Sequence, residues 1–341
     1  MIGDVLASTV ICQAIKTKHP DWEVHYMIQP NTVAVAENNP FVDKIMLFDS
    51  SQHKGISNLI AFGKSLKAEN YSIVIDAYCK WESIIPAYFS GAKMIVGQRK
   101  WYTSFFYTKT VKLNATGNGT AITNRLLLVE AALNQEIVAI YPKIYLTELE
   151  INKAKIAVKE KLDTSKTTIM MSILGSGKTK SLPPKYMAEI MNQIVEGKDI
   201  QLVLNYIPNQ LKDVQEIYDL CLKSTQEKII FDFYAKNLRD FMGLVTQCDA
   251  LIGNEGGATN MAKALQIPTF TIYAPWIYKK SWNFMEETGL HEVIHLADYF
   301  PELFGNKHPK KFKNKAIDWY QKLKPELFSE KLNRFVFRIK K

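Results

Sequence analysis

Ala250-Leu251-Ile252-Gly253-Asn254-Glu255-Gly256-Gly257-Ala258-Thr259-Asn260 reads as a strand, a glycine-rich turn and the start of a helix that runs on through Met261 to Leu265. A strand that is apolar at consecutive positions is buried on both faces, as in a parallel sheet flanked by helices. Paired glycines let backbone N–H groups approach a pyrophosphate without Cβ interference, and the helix N-terminus adds partial positive charge. Glu255 is an acceptor-only group suited to sugar hydroxyls. Taken alone, the stretch also fits an ordinary tight turn with Asn or Thr capping the helix.

Outward from this point the same pattern repeats. Short β-branched runs at 24–28, 44–48, 72–76 and 93–97 read as strands in the first half. Those at 168–174, 201–205, 228–233, 250–253 and 269–273 do so in the second. Helical stretches separate them, so the fold class is α/β with parallel sheets and two consecutive doubly wound series. The expected domains are residues 1–147, residues 148–315, and a C-terminal helix with a basic tail over 316–341. A charged helix from Glu148 to Leu162 opens the second series.

The beginning of the chain departs from the pattern. Met1-Ile2-Gly3-Asp4-Val5-Leu6 reads as a loop followed at once by a helix, Val5 to Lys18, with no strand ahead of it. A start upstream of Met1 is therefore expected.

In open parallel sheets, ligands bind in the loops beyond the carboxyl ends of the strands. Gly175-Ser176-Gly177-Lys178-Thr179-Lys180-Ser181-Leu182-Pro183-Pro184 is such a loop. Its Gly-Lys-Thr resembles a Walker A motif, but Ser172 stands where that motif needs its first glycine, which excludes the P-loop reading. Ser176 and Lys180 still suit an anion, by hydroxyl donation and as a point charge. Asp4 could serve as a general base toward an attacking hydroxyl, or equally as the N-cap of the first helix.

The 341 residues carry a net charge of +9, which favours acidic partners such as phosphorylated substrates or anionic lipid. No zinc-finger spacing, RNP-like motif or continuous basic helix accompanies it, so nucleic acid is not an expected partner. The four cysteines are scattered and read as reduced thiols. No run approaches the ~20 apolar residues of a membrane span, and no signal-peptide pattern opens the chain. The expected location is cytoplasmic, and the sequons Asn114-Ala115-Thr116 and Asn118-Gly119-Thr120 carry little meaning.

Four segments in order resemble glycosyltransferase family 9, the bacterial ADP-heptose:lipopolysaccharide heptosyltransferases. They are Ile2-Gly3-Asp4-Val5-Leu6, Asn39-Pro40-Phe41-Val42-Asp43, Lys180-Ser181-Leu182-Pro183, and Asn254-Glu255-Gly256-Gly257 leading into Ala262-Lys263-Ala264-Leu265-Gln266-Ile267-Pro268. The ordered set is more specific than any one of them. The resemblance implies a GT-B fold, two Rossmann-like domains facing a central cleft. It also implies an inverting, metal-independent transferase that moves a heptose or related sugar from a nucleoside diphosphate donor, ADP-linked, to a lipopolysaccharide-core-type acceptor. It implies Asp4 as catalytic base. Ser176, Lys180, Glu255, Gly256, Gly257, Ala258 and Asn260 would meet the donor, with no cofactor and no metal. A monomer is expected.

Some positions depart from the family pattern. Glu255 stands where aspartate is usual, and Asn260 where the best-known members have histidine. The segment 205–210 lacks a glutamate often found there. These differences bear on the donor sugar more than on the reaction type. In the first half, Lys80, Arg99 and Lys100 are expected to meet phosphates or acidic sugars of a lipid-linked acceptor. Trp101, Phe105 and Phe106 nearby suit peripheral contact with an anionic membrane surface, although a helix packed on the core with a solvated basic edge fits them as well. The alternative functions are a nucleotide-sugar epimerase or hydrolase on the same scaffold, and an inactive binding homologue.

Overall fold

The chain opens on a helix rather than on a loop. In the computed structural model, which describes residues 1–115, 117–285, 288–305 and 307–339, α1 spans Ile2–Lys18. Thr116 of the first sequon lies outside the described residues. Asp4 is thus in the first helical turn, with Met1 and not Asp4 at the N-cap. A carboxylate in that turn faces the positive end of the helix dipole, which favours the helical start. Leu6, Ala7, Val10, Ile11 and Ala14 are all buried, so α1 is apolar around most of its circumference.

Contacts divide the chain into two units, Met1–Lys143 with Lys280–Phe284, and Ile144–Lys279 with Met285–Lys341. After α1, the first unit holds β1 (His25–Ile28), β2 (Lys44–Leu47), α2 (Ile56–Ser65), β3 (Ile73–Ile75), α3 (Trp81–Phe89), β4 (Met94–Gln98), β5 (Lys109–Val111) and α4 (Thr120–Leu133). Strands β1 and β2 pair in parallel, with His25 opposite Lys44. A separate parallel sheet has the order β3-β4-β5. Helix α4 packs on α1 and on that sheet, where Leu128 and Val96 share a small core. The sequence pattern missed β5, whose Lys-Thr-Val is too short and too polar to stand out.

The second unit begins with α5 (Glu148–Lys161). Its N-cap Thr147 and Glu150 form a reciprocal capping box. Arg239 also grips Glu150 through two hydrogen bonds, and this pairing holds the Glu150 carboxyl down to about 2. There follow β6 (Thr167–Ser172), α6 (Pro184–Val195), β7 (Ile200–Leu204), α7 (Leu211–Asp219), α8 (Lys223–Gln226), β8 (Ile229–Ile230), α9 (Leu238–Val245), β9 (Ala250–Asn254), α10 (Gly257–Ala264) and β10 (Thr269–Ile272). Short α11 (Lys279–Trp282), most of which belongs to the first unit, then β11 (His291–Ile294), α12 (Ala316–Tyr320) and α13 (Ser329–Arg338) follow.

All the strand pairs in this unit are parallel, and their order is β11-β10-β9-β6-β7-β8. Numbered within the unit, that is the 3-2-1-4-5-6 order of dinucleotide-binding folds. The order reverses between β6 and β9, which are hydrogen-bonded neighbours with Ser172 opposite Gly253. Ile169, Met171, Ile252 and Phe270 are wholly buried in the core, each contributing about 1.5–3 kcal/mol.

The basic tail is not a tail. Leu332, Phe335 and Val336 on α13 enter the same core, and Lys331 and Arg338 pair with Glu292 of β11. Lys340 and Lys341 lie outside the described residues. All four cysteines are free and buried. Among the described residues, no helix is long and apolar enough to cross a membrane.

Candidate active site

At the β6/β9 switch point the chain backbone comes into very close contact. Gly253 has φ +140°, and a Cβ there would stand 2.2 Å from the carbonyl oxygen of Ser172. No other residue type fits without moving a strand. Next to it, Asn254 is wholly buried and acts as a clamp. Its Oδ1 accepts from the Leu182 N–H at 2.8 Å, and its Nδ2 donates to the Ile173 carbonyl at 2.8 Å. Asn254 therefore ties the end of β9 to the loop that follows β6.

That loop is held from within as well. Ser181 Oγ accepts from the Gly175 N–H at 2.9 Å and donates to the Gly177 carbonyl at 3.1 Å. A Cβ on Gly175 would lie 2.1 Å from the Lys180 carbonyl oxygen, so this loop too closes only around glycine. The result is that Lys180 is aimed across the switch point. Its Nζ lies 2.8 Å from Oε1 of Glu255. The contact has the distance of an ion pair but not the angles of a hydrogen bond, and buried Oε1 finds no hydrogen-bond donor among the described residues. That oxygen is closed off from solvent by the fold around it.

Beside the pair, α10 begins. Gly257 and Ala258 occupy its first two positions, where N–H groups have no partner within a helix. Gly256 differs from the sequence expectation, because its N–H already donates to Thr259 Oγ1 at 3.1 Å. Asn260 sits further along the first turn, partly buried, with its N–H bonded to the Gly256 carbonyl. Ser176 is on the exposed crest of the β6–α6 loop.

Two residues that the sequence reading passed over join this cluster. Trp276, in the loop after β10, donates from Nε1 to the Thr179 carbonyl at 2.8 Å. Its ring lies 5.5 Å from Lys180 Nζ and 5.1 Å from Lys313 Nζ, within range of a cation–π attraction. The rule that ligands gather at strand ends would have found Trp276, since Ala274-Pro275-Trp276 directly follows a strand. His295 supports that loop. Its Nδ1 accepts from the Ala297 N–H at 3.0 Å, so Nε2 carries the proton and donates to the Pro275 carbonyl at 3.2 Å. Burial presses its pKa down to about 4.

The first unit has its own polar cluster. Arg125 of α4 donates from Nη2 to Asp4 Oδ1 at 3.3 Å and to the Asp4 carbonyl at 3.2 Å, and from Nε to Ser8 Oγ at 2.7 Å. It also donates to the Ala121 carbonyl. The guanidinium is mostly enclosed, whereas the Asp4 side chain keeps 39% of its surface open. Tyr26 donates to the Val5 carbonyl at 2.6 Å and closes the far side of the turn. No local pattern announces Arg125, because its partner is 121 residues away.

Of the expected acceptor residues, Lys80 lies within the electrostatic reach of Asp4. Its own pKa is raised chiefly by its hydrogen bond to Tyr78. Lys100 Nζ donates to the Cys79 carbonyl at 2.8 Å, joining the loop after β4 to the loop after β3. Arg99 is exposed and bonded to Thr110 at 3.3 Å. Beneath these loops Asp76 is buried, and it accepts from Tyr107, Ser83 and the Tyr78 and Cys79 N–H groups. Its burial raises its pKa.

A parallel sheet in this strand order, with a charged pair and an open helix N-terminus at its switch point, is the arrangement of nucleotide-binding α/β proteins. Residues 59–281 match the model of glycosyltransferase family 9 (heptosyltransferase), and the chain belongs to that family. It is 25% identical over 305 residues to lipopolysaccharide heptosyltransferase 1 of Campylobacter coli, covering 86% of each chain. Among solved structures, it is similar to a family 9 glycosyltransferase from Veillonella parvula, with TM-score 0.72, 17% identity and 94% of each chain covered. It is also similar to the E. coli ADP-heptose lipopolysaccharide heptosyltransferase II, with TM-score 0.66, 16% identity, and 94% and 96% covered. The fold is GT-B, and the chain is a glycosyltransferase of the heptosyltransferase kind.

Proposed function

We propose that this chain transfers a heptose, or a closely related sugar, from a nucleoside diphosphate donor to a saccharide acceptor of lipopolysaccharide-core type. The observation that carries this reading is the Lys180–Glu255 pair at the β6/β9 switch point, beside the open N–H groups of Gly257 and Ala258. Lys180 and the helix N-terminus would face the diphosphate, and Glu255 the hydroxyls of the sugar. Ser176, at the loop crest, would add a hydroxyl donor. The E. coli relative is an ADP-heptose enzyme, which favours adenine as the base here. The Campylobacter relative acts in lipopolysaccharide synthesis, which favours a lipid-linked acceptor.

In the proposed reaction Asp4 accepts the proton of the acceptor hydroxyl. The oxygen forms a bond to the anomeric carbon as the bond from that carbon to the diphosphate oxygen breaks, on the opposite face, so the configuration inverts. The electron pair leaves with the diphosphate. Its charge would be met by Lys180 and the α10 N-terminus, which fill the role a metal ion takes in other transferases. Arg125 would hold Asp4 in place without covering it. No cofactor is proposed beyond the donor as substrate.

The test is a thermal-stability screen of the purified protein with ADP-, GDP- and UDP-linked sugars. An ADP-linked heptose at saturating concentration is expected to raise the Tm by roughly 5 °C, more than the other bases do. Absence of any shift, or donor breakdown at full rate without acceptor, would overturn the transfer reading.

A further inference from the structure

Two buried oxygens near the switch point find no hydrogen-bond partner among the described residues: Oε1 of Glu255 and the hydroxyl of Tyr320. Both belong to the second unit. Tyr320 is 1% exposed, and the Glu255 side chain 11%. A polar atom shut away from water without a partner is costly, most of all when it carries charge. Lys180 offsets that cost for Glu255 from 2.8 Å. For the Tyr320 hydroxyl no acceptor does so among the described residues. Tyr320 stands on α12, which packs against the 178–180 turn that carries Lys180. Its position is fixed. Tyr186 of α6 donates to the Gln321 carbonyl at 3.0 Å, the Leu323 N–H donates to the Tyr320 carbonyl at 3.0 Å, and Trp319 meets Phe304 edge-on at 4.8 Å. Burial raises the Tyr320 pKa well above its ordinary value, and the nearby Glu255 charge raises it further. The phenol therefore keeps its proton, unspent and within electrostatic reach of a carboxylate.

A donor diphosphate at this site and Glu255 compete for the same ammonium group. Once Lys180 turns to the phosphates, Glu255 is left as an enclosed charge without its cation, which disfavours donor binding unless another hydrogen-bond donor takes over. We propose that Tyr320 is a positioning residue for Glu255: in the donor-bound protein its hydroxyl donates to Oε1 and leaves the other carboxylate oxygen facing the sugar. The exchange of partners is local, because the flexible Glu255 side chain turns while α12 stays in place. Lys180 holds Glu255 before the donor arrives, and Tyr320 holds it afterwards. The inference rests on the transfer reading, in which Lys180 meets the diphosphate and Glu255 the sugar.

The experiment is calorimetric titration of ADP-heptose into the full chain, Tyr320→Phe, Glu255→Ala and the double variant, with the thermal melting of each protein taken without ligand. Tyr320→Phe is expected to lose about tenfold in affinity for ADP-heptose. Without ligand it should melt at or above the parent, because the hydroxyl it removes has no partner there. In the Glu255→Ala background the same substitution should change affinity by less than about twofold, since the group it acts through is gone. A merely structural role would give the opposite pattern, with lower melting of the free protein and an equal affinity loss in both backgrounds. That pattern, or unchanged affinity in Tyr320→Phe, would overturn the inference and leave the donor site standing. Unchanged affinity in Glu255→Ala would instead overturn the assignment of Glu255 to the sugar, and the inference with it.

Discussion

Lys180 and Glu255 meet because the strands that carry their loops are hydrogen-bonded neighbours. Asp4 and Arg125 meet because two helices far apart in sequence pack together. In the second unit, glycines at close approach, an amide clamp and a helix N-terminus fix the charged pair, so the backbone carries most of the geometry. In the first unit one guanidinium reaches Asp4, Ser8 and Ala121, so a single side chain carries it. A site made by backbone tolerates few substitutions but is specified locally. One made by a long side chain needs the whole fold around it, and leaves its carboxylate more open to solvent and to a substrate.

The largest expected effect separates the two regions outright. Asp4→Asn keeps the shape of the side chain and removes its basicity. We expect turnover to fall about 10³-fold in steady-state assays, with donor affinity unchanged. Unchanged turnover would remove Asp4 from the chemistry, and a parallel loss of donor affinity would mean that the two clusters are not separable in function.

A smaller effect concerns the support of the second cluster. Buried His295 has its pKa lowered by desolvation to about 4, while in the unfolded chain it titrates near the ordinary 6.5. Between those values the unfolded chain binds the extra proton, so stability is full above about pH 6.5 and declines as pH falls toward about 4. The decline should amount to at most about 3 kcal/mol in urea unfolding curves taken across that range. His295→Gln should flatten it. A slope that survives this substitution would place the titration elsewhere.

The sequence exposed the backbone-built region far better than the side-chain-built one. The strand ahead of Gly253 and the glycines after it have a local signature, because close approach and an open helix N-terminus demand particular residues at fixed spacing. Lys180 and Glu255 stand out in the sequence by their charge beside glycine-rich turns, but their pairing follows only from the strand order. Strands β5 and β11 escaped notice, being short and mixed in polarity. Arg125 was invisible because nothing near it in sequence distinguishes it from a surface cation. For Asp4 the sequence pattern predicts a loop, whereas the structure sets it in the first turn of α1. The C-terminal segment misled through its charge. Its lysines and arginines mask the spacing of Leu332, Phe335 and Val336, which face the core.

The most direct measurement is calorimetric titration of an ADP-linked sugar into the parent protein, Lys180→Ala and Asp4→Asn. If the switch-point cluster holds the donor by itself, Lys180→Ala weakens binding by about tenfold or more and Asp4→Asn binds as the parent does. Donor affinity unchanged in Lys180→Ala, or lost in Asp4→Asn, would contradict the assignment of the donor to that cluster.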